Sequence, residues 1–150
     1  MTDLNLGGVT VGDGGDQYLA IDRFGRLQEV RWHRMGDPAN FIEKLTFDYD
    51  KADHRLWRLN HLAPDTQDEL YLYDGLYQVK GRKRGNLNGD HTGISGTPAR
   101  QEDFTCDPLG NWNNYTVHLD GTEDLNQDRT HNKSNQLTAL DGDGPRTVPE

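Results

Sequence analysis

Three carboxylates lie close together in the stretch FDYDKADH, which contains Asp48, Asp50 and Asp53. Glycoside hydrolysis requires two carboxylates held at a fixed separation, one as acid and the other as base or nucleophile. Asp48, however, alternates with Phe47 and Tyr49, so in a strand its side chain points to the opposite, solvent-facing side. Asp50 and Asp53 belong to a recurring turn frame described below. We therefore expect turn and surface roles for these carboxylates.

The spacing of the histidines and the surroundings of the serines do not match the motifs of zinc sites or of serine hydrolases. Six histidines are present, but the nearest pair, His54 and His61, has six residues between its members, wider than zinc sites use. The sequence GISGT around Ser95 lacks the last glycine of a G-x-S-x-G nucleophile elbow. A single cysteine, Cys106, cannot form an internal disulfide. We predict that the chain is not an enzyme and has no catalytic residue, metal ligand or cofactor.

Aromatic and basic residues offer binding chemistry instead. Four aromatic residues could stack on sugar rings if they are exposed, and otherwise pack in the sheet: Trp32, Trp57, Trp112 and Tyr115. The stretch KGRKR at residues 80–84 is expected to be a solvated loop, with contact to an anionic polymer left open. Because the net charge of the chain is −9, we predict no nucleic-acid partner.

The composition limits the core and the compartment. Only 32% of the 150 residues are hydrophobic, so we expect a thin core. No run of about 18 apolar residues is present, and we predict no membrane span. The first residues have neither the basic nor the apolar region of a secretory signal, so the localisation stays unknown.

Five segments share one frame, which indicates an internal repeat. The segments are LAIDRFGRL, FDYDKADHRL, YLYDGLYQV, FTCDPLGNW and RTHNKSNQL. Each contains an anchor residue, here called position 0: Asp22, Asp50, Asp74, Asp107 and Asn132. Successive anchors are 28, 24, 33 and 25 residues apart.

Each column of the frame has a physical reading. Positions −3 and −1 share one face of a strand, and their bulky side chains predict that this face is covered. An Asp or Asn anchor bends the chain by accepting backbone hydrogen bonds, and position +3 needs a residue that tolerates positive φ. Gly25, Asp53, Gly110 and Asn135 satisfy this requirement at +3, whereas Tyr77 does not fit. The frame therefore predicts an all-β chain of successive antiparallel hairpins.

The predicted organisation has three parts. Residues 1–16 form a flexible leader, residues 17–140 about five hairpin repeats, and residues 141–150 a disordered tail. The polar stretches 33–40, 61–68, 81–100 and 120–128 are expected to be surface connections between hairpins. Residues 40–44 could form one turn of helix.

The frames FDYDKADHRLWR, YLYDGLYQVKG and FTCDPLGNWNNY resemble the RHS/YD-repeat family, whose repeat reads roughly Y-x-Y-D-x-x-G-R-L. The stretch RTHNKSNQLTAL is similar to a frequent continuation in bacterial members. The residues that carry the resemblance are Tyr49, Asp50, Tyr73, Asp74, Asp107, Gly110 and Asn132. The motif Asp107-Pro108-Leu109-Gly110 also matches the DPxG of family toxins, but it lies inside the fourth repeat, and we interpret it as a turn.

The resemblance implies a spiralling sheet of hairpins that in family members closes into a hollow shell. Five hairpins are too few to close it, so the expected fold is a partial shell, a short fragment without core or toxin domain. The implied function is that of a non-catalytic structural segment, acting by enclosure or surface display, with neighbouring YD repeats or a longer RHS protein as partners. Family members include secreted and cell-surface polymorphic toxins. The alternative is a carbohydrate- or envelope-polymer-binding module that uses the exposed Trp and Tyr side chains on glycans.

Overall fold

The computed structural model is all-β in the residues that it describes, which are 2–5, 20–34, 37–63 and 67–143. These residues contain ten strands and no helix. The chain divides into two compact units, Met1–Asp68 and Glu69–Glu150. In each unit the strands pair antiparallel with their neighbours in sequence. The prediction of an all-β chain of antiparallel hairpins is confirmed.

The first unit contains four strands, β1 (Thr2–Asn5), β2 (Glu29–Arg34), β3 (Asp37–Tyr49) and β4 (Arg55–Asn60). β1 pairs with the far end of β2, where Thr2 lies opposite Arg34. An isolated bridge between Ile21 and Leu27 closes the first hairpin at the near end. The first two anchors therefore lie in this unit.

The second unit contains β6 (Val79–Gly85), β7 (Arg100–Cys106), β8 (Trp112–Leu119), β9 (Thr122–His131) and β10 (Leu137–Asp143). It also contains β5 (Asp68–Tyr73) except for the first residue of that strand, Asp68, which belongs to the first unit. The third anchor lies between β5 and β6, the fourth between β7 and β8, and the fifth between β9 and β10. The predicted repeat thus corresponds to one hairpin, with an outgoing strand before the anchor and a return strand after it.

The strand register within the hairpins repeats from one to the next. In β3–β4, β7–β8 and β9–β10, position −3 lies opposite position +8: Phe47 opposite Arg58, Phe104 opposite Tyr115, and Arg129 opposite Leu140. In all three, the register shifts between the −2 and −1 pairs, so that position +6 is an extra residue in the return strand. A bulge at the same position in each hairpin shows that the three hairpins share one backbone plan.

The register between consecutive hairpins also repeats. At the junctions β2–β3, β6–β7 and β8–β9, position +8 of one repeat lies opposite position −5 of the next: Val30 opposite Leu45, Arg82 opposite Glu102, and Tyr115 opposite Gln127. Because a one-residue slip would exchange the two faces of a strand, this constancy keeps corresponding columns on one face within each unit.

The longest interval between anchors contains a folded loop, residues 86–99, between β6 and β7. A bridge between Leu87 and Ile94 closes it, and Leu87 is buried. The loop packs closely against Gly85, which has no side chain. A Cβ at this position would lie only 2.7 Å from Ile94 Cγ2. The loop explains the 33-residue interval without a change of repeat plan.

The core is thin, as the composition predicts. The buried hydrophobic side chains among the described residues are Phe47, Leu70, Leu87 and Val117. Of the aromatic side chains at −3 and −1, only Phe47 is buried, while those such as Tyr49 and Phe104 are half-buried. Burial of apolar side chains therefore contributes little to the sheet, and several large apolar side chains stay exposed.

Several predicted connections are strands instead. Residues 33–40 lie mostly in β2 and β3, and β3 also contains residues 40–44, where a helical turn was considered. The KGRKR stretch belongs to β6, and residues 122–128 belong to β9. Polar composition misled these assignments because antiparallel strands pair through their backbones and tolerate polar side chains on an open face.

The boundaries of the repeat region differ from the prediction as well. Residues 2–5 of the expected leader form β1, and β10 continues through residues 141–143 of the expected tail. The rest of the leader and residues 144–150 lie outside the described residues.

Candidate functional site

The five anchors make the same turn. In each, Oδ1 of the anchor accepts hydrogen bonds from the backbone N–H groups of positions +2 and +4, at 2.8–3.0 Å. The anchor N–H donates to the carbonyl of +4, and the N–H of +3 donates to the anchor carbonyl. An aspartate or asparagine therefore satisfies the backbone donors of a tight hairpin end, as the frame predicts.

Position +3 has positive φ in every turn. The residues are Gly25 (82°), Asp53 (66°), Tyr77 (65°), Gly110 (86°) and Asn135 (58°). Tyr77, which does not fit the column by residue type, adopts the same left-handed backbone as the others. The shared hydrogen bonds of the turn thus determine the backbone, and the tyrosine accepts a conformation that disfavours a bulky side chain.

Position +4 supplies a donor that sequence reasoning missed. Arg26 Nε lies 2.6 Å from Asp22 Oδ2, His54 Nδ1 2.9 Å from Asp50 Oδ2, and Asn111 Nδ2 2.9 Å from Asp107 Oδ2. The fifth turn reverses the polarity, because Asn132 Nδ2 donates to Gln136 Oε1 at 2.9 Å. The signal was present in the sequence, since position +4 always carries a nitrogen-bearing side chain: Arg26, His54, Gln78, Asn111 and Gln136.

Consecutive turns within a unit touch through positions +4 and +3. In the first unit, Arg26 Nη1 donates to the carbonyl of Asp50 at 2.7 Å and to Asp53 Oδ1 at 2.9 Å. In the second unit, Asn111 Nδ2 donates to Asn135 Oδ1 at 3.2 Å. Gln78 also approaches the next turn, since a Cβ at Gly110 would lie 3.4 Å from Gln78 Nε2. We call the row of contacts within each unit its turn ladder.

The hydrogen bonds of the turns favour the ionised anchors. The Asn111 side chain, the Asn111 N–H and the Leu109 N–H together lower the pKa of Asp107. Burial works to raise the pKa of Asp22, but the donors of Arg26 and Phe24 outweigh it and the pKa is lowered. The same balance, with His54 as the main donor, lowers the pKa of Asp50.

The −1 column carries Tyr49, Tyr73 and Cys106 beside their anchors. Tyr49 Oη donates to the carbonyl of Leu27 in the preceding hairpin at 2.9 Å. Cys106 is half-buried, and burial, together with the charges of Asp74 and Asp107, raises the pKa of its thiol. A protonated, half-buried thiol is a poor nucleophile, which fits a packing role for this residue.

A groove of about 410 Å³ opens on one face of the second unit. Tyr71, Val79, Arg82, Glu102, Phe104, Trp112 and Tyr115 line it. The Phe104 ring centroid lies 4.6 Å from that of Trp112 and 5.0 Å from that of Tyr115. The guanidinium of Arg129 lies 5.1 Å from the Trp112 ring centre, a cation–π distance. Trp112 nevertheless remains 41% exposed.

Three residues that line the groove, Arg82, Glu102 and Tyr115, belong to a charge network centred on Glu102. This buried carboxylate accepts from Arg82 Nε at 2.8 Å, Arg100 Nη2 at 2.9 Å and Tyr115 Oη at 2.9 Å. Burial works to raise the pKa of Glu102, but the hydrogen bonds of Arg100 and Tyr115 outweigh it and the pKa is lowered. Burial also raises the pKa of Tyr115, so its hydroxyl remains a donor. Every charge in the network is used in pairing.

The predicted ligand-binding aromatics fall into two groups. Trp112 and Tyr115 lie together in the groove of the second unit. Trp32 in β2 and Trp57 in β4 belong to the first unit, and both are half-buried. Trp57 lies opposite Asp48 in the register, on the other face from Phe47 and Tyr49.

The carboxylates considered for catalysis have structural surroundings. Asp48 is exposed, with its Oδ1 accepting the N–H of Tyr49 at 2.8 Å, and Asp50 is the anchor of the second turn. Within the described part of the chain, no group of three or more His, Cys, Asp or Glu side chains could hold a metal ion. The same residues contain no helix that is long and apolar enough to cross a membrane.

Comparison with known proteins gives no relative: no protein-family model matches the chain, and no curated protein matches it.

Proposed function

We propose that the chain is a non-catalytic structural segment of an RHS/YD-repeat shell, which acts by enclosure or surface display. The observation that carries the proposal is the constancy of the hairpin plan: one turn geometry at five anchors and one register at three junctions between hairpins. A sequence with few apolar residues that still keeps this plan is typical of repeat architectures, in which each unit is stabilised by its neighbours.

The contacts of the turn ladders support the same function. Arg26 and Asn111 each bind their own anchor and the following turn, so the hairpin ends are joined in the stacking direction. The charge network around Glu102 joins β6, β7 and β8 on one face in a similar way. These polar groups are used for pairing between hairpins, and none of them is held apart for a reaction.

Hydrogen exchange on the full chain tests the proposal. In a repeat scaffold, stability is a sum of neighbour interactions, so we expect graded protection, with β8 above the terminal strand β10. Asp107→Ala should speed exchange most in β7–β8, next in the adjoining hairpins, and least elsewhere. A single sharp, reversible transition of a monomer, with all strands exchanging at one rate, would contradict the scaffold.

The aromatic groove favours a second candidate function, binding of a carbohydrate. Sugar rings stack on exposed aromatic faces, and Trp112 and Tyr115 lie at the groove beside charged side chains. Titration with neutral and acidic polysaccharides should then change tryptophan fluorescence in the unmodified chain and in Trp57→Phe, but not in Trp112→Phe. Absence of a response to all of the polysaccharides would remove this candidate.

A further inference from the structure

The return strand β10 lies at the edge of its unit and has the same register and bulge as the inner return strand β8. Among the residues that the structure describes, it pairs with β9 alone, and residues 132–142 are exposed. Its register with β9 repeats that of β8 with β7, including the bulge at position +6. The row of N–H and C=O groups on its outer side is therefore arranged as it is in β8, whose outer side binds β9.

Gln136 extends this likeness to the turn ladder. In the inner turns, Arg26 and Asn111 donate both to their own anchor and to position +3 of the next turn. Gln136 instead accepts from its anchor, Asn132, through Oε1. Its Nε2 group thus keeps both hydrogens for an acceptor beyond the fifth turn.

We propose that the outer edge of β10, together with the Gln136 amide, binds one further β-hairpin of the same repeat type that carries Asp or Asn at position +3. This inference rests on the proposed scaffold function and names the partner that the scaffold recognises. By the register of the inner junctions, position −5 of the incoming strand lies opposite Leu140 and position −4 opposite Ala139.

A second copy of the chain fits the edge less well. Its first turn has Gly25 at position +3, which offers no side-chain acceptor to Gln136. Its first described strand, β1, is not an outgoing strand of a repeat but pairs with the far end of β2. Position +3 of the fifth turn is Asn135, so a hairpin of that type supplies the acceptor that the first turn lacks.

The register can be tested with a peptide of residues 120–140, which contains an outgoing strand and a turn with Asn135 at +3. The chain carries Leu140→Cys in a Cys106→Ser background, and the peptide carries Gln127→Cys, which is position −5. Directly opposite cysteines on one face are close enough for a disulfide. We expect rapid cross-linking with this peptide and slow cross-linking with the Asp128→Cys peptide, whose thiol faces the other side. Equal rates would overturn the proposal.

The role of Gln136 can be tested by a charge exchange. Gln136→Glu keeps the oxygen that accepts from Asn132 and replaces the outward donor with a carboxylate oxygen, so binding of a labelled peptide with the acceptor-only change Asn135→Asp should weaken about fivefold. The Asn135→Gly peptide, which keeps the left-handed turn but offers no side-chain acceptor, should bind the unmodified chain more weakly than the Asn135→Asp peptide does. An affinity that does not respond to either change would overturn the proposal.

If the peptide binds too weakly to be detected in solution, the same hairpin can be fused to the chain through a flexible linker after residue 150. The fusion raises the effective concentration of the hairpin to about the millimolar range. We expect the amides of β10 to gain protection from hydrogen exchange. No gain here and no cross-link in solution would overturn the inference, as would self-association of the unmodified chain through β10. Graded exchange along the strands would still support the scaffold function, so the two failures are distinguishable.

Discussion

At the scale of single residues, the anchor determines where each hairpin turns. Asn132 makes the same backbone hydrogen bonds as the four aspartates, so a neutral acceptor is sufficient for the turn geometry. The aspartates differ in that their hydrogen bonds are charge-assisted, which is why the pKa of Asp107 is lowered. The difference between the two anchor types should therefore appear in the dependence of stability on pH.

Asp107→Asn tests this difference. A group whose pKa is lowered by folding contributes stability above its ordinary pKa and loses it as the pH falls through the folded value. We expect the variant to unfold more easily than the unmodified chain at pH 7, and the two to converge between about pH 5 and pH 2. Thermal unfolding followed by circular dichroism measures this. Glu123→Gln is the control, because this exposed residue lies in β9, outside the five turns; a gap that widens in acid would contradict the interpretation.

Tyr77 gives a second test at this scale. Its backbone is left-handed, a conformation that is strained for a bulky side chain, and the residue is 65% exposed. Tyr77→Asn should raise the free energy of unfolding by up to about 1 kcal/mol, because Asn tolerates positive φ. Urea unfolding measures the change, with Leu76→Asn at the neighbouring exposed position as control. A loss of more than about 1 kcal/mol would show that the contacts of the ring outweigh the strain.

At the scale of elements, pairing between polar side chains compensates for the thin core. β6, β7 and β8 share Glu102, which binds Arg82 and Arg100 while its neighbour Tyr115 donates to it. Arg84 and Arg100 lie directly opposite each other, so the arginines of this face need a carboxylate nearby. A strand as basic as β6 is stable in the sheet because these acids face it.

Glu102→Ala should therefore destabilise the second unit. The change leaves two guanidinium groups and a hydroxyl without their shared acceptor, and we expect a loss of about 1–3 kcal/mol, reduced from a fully buried pair because both arginines are partly exposed. Asp103→Ala on the opposite face of the same strand is the matched control, since Asp103 accepts a hydrogen bond from the neutral Gln101 amide. Equal losses in urea unfolding of the two variants would argue against a special role for the network.

The strands also show what could be predicted from the sequence. The anchors, the +3 column and the return strands followed from residue type, because the turn requires specific acceptors and a specific backbone. The strand assignment of KGRKR did not, because Arg82 pairs with Glu69 and Glu102, which are remote in sequence. The strand assignment of residues 122–128 did not follow either, because an antiparallel sheet tolerates polar side chains on an open face. The groove was missed as a unit because Tyr71, Phe104 and Tyr115 meet only after the register is set.

At the scale of the whole molecule, β10 is an open edge among the described residues, and an open edge favours association. β10 presents Leu137 and Leu140 at 49% and 53% exposure, and it ends in a stretch that contains Asp141. Asp141 lies directly opposite Asp128 of β9, an arrangement that weakens the pairing of β10. A charged residue on an edge discourages pairing with other copies of the same acidic chain. We infer that Asp141 lowers the stability of the β9–β10 pair but reduces association between copies of the chain through β10.

Asp141→Val tests that inference. Removing the charge should strengthen the β9–β10 pair and at the same time allow copies of the chain to associate through β10, because valine favours a strand and no longer repels a second acidic edge. Sedimentation velocity over a range of concentrations should show association at lower concentration than for the unmodified chain. Asp128→Val is the matched control, since it makes the same change of charge at a position of β9 that is paired on both sides, with Asn114 of β8 and Asp141 of β10. If both variants associate equally, added apolar surface rather than the open edge causes the effect; if neither does, Asp141 does not protect the edge.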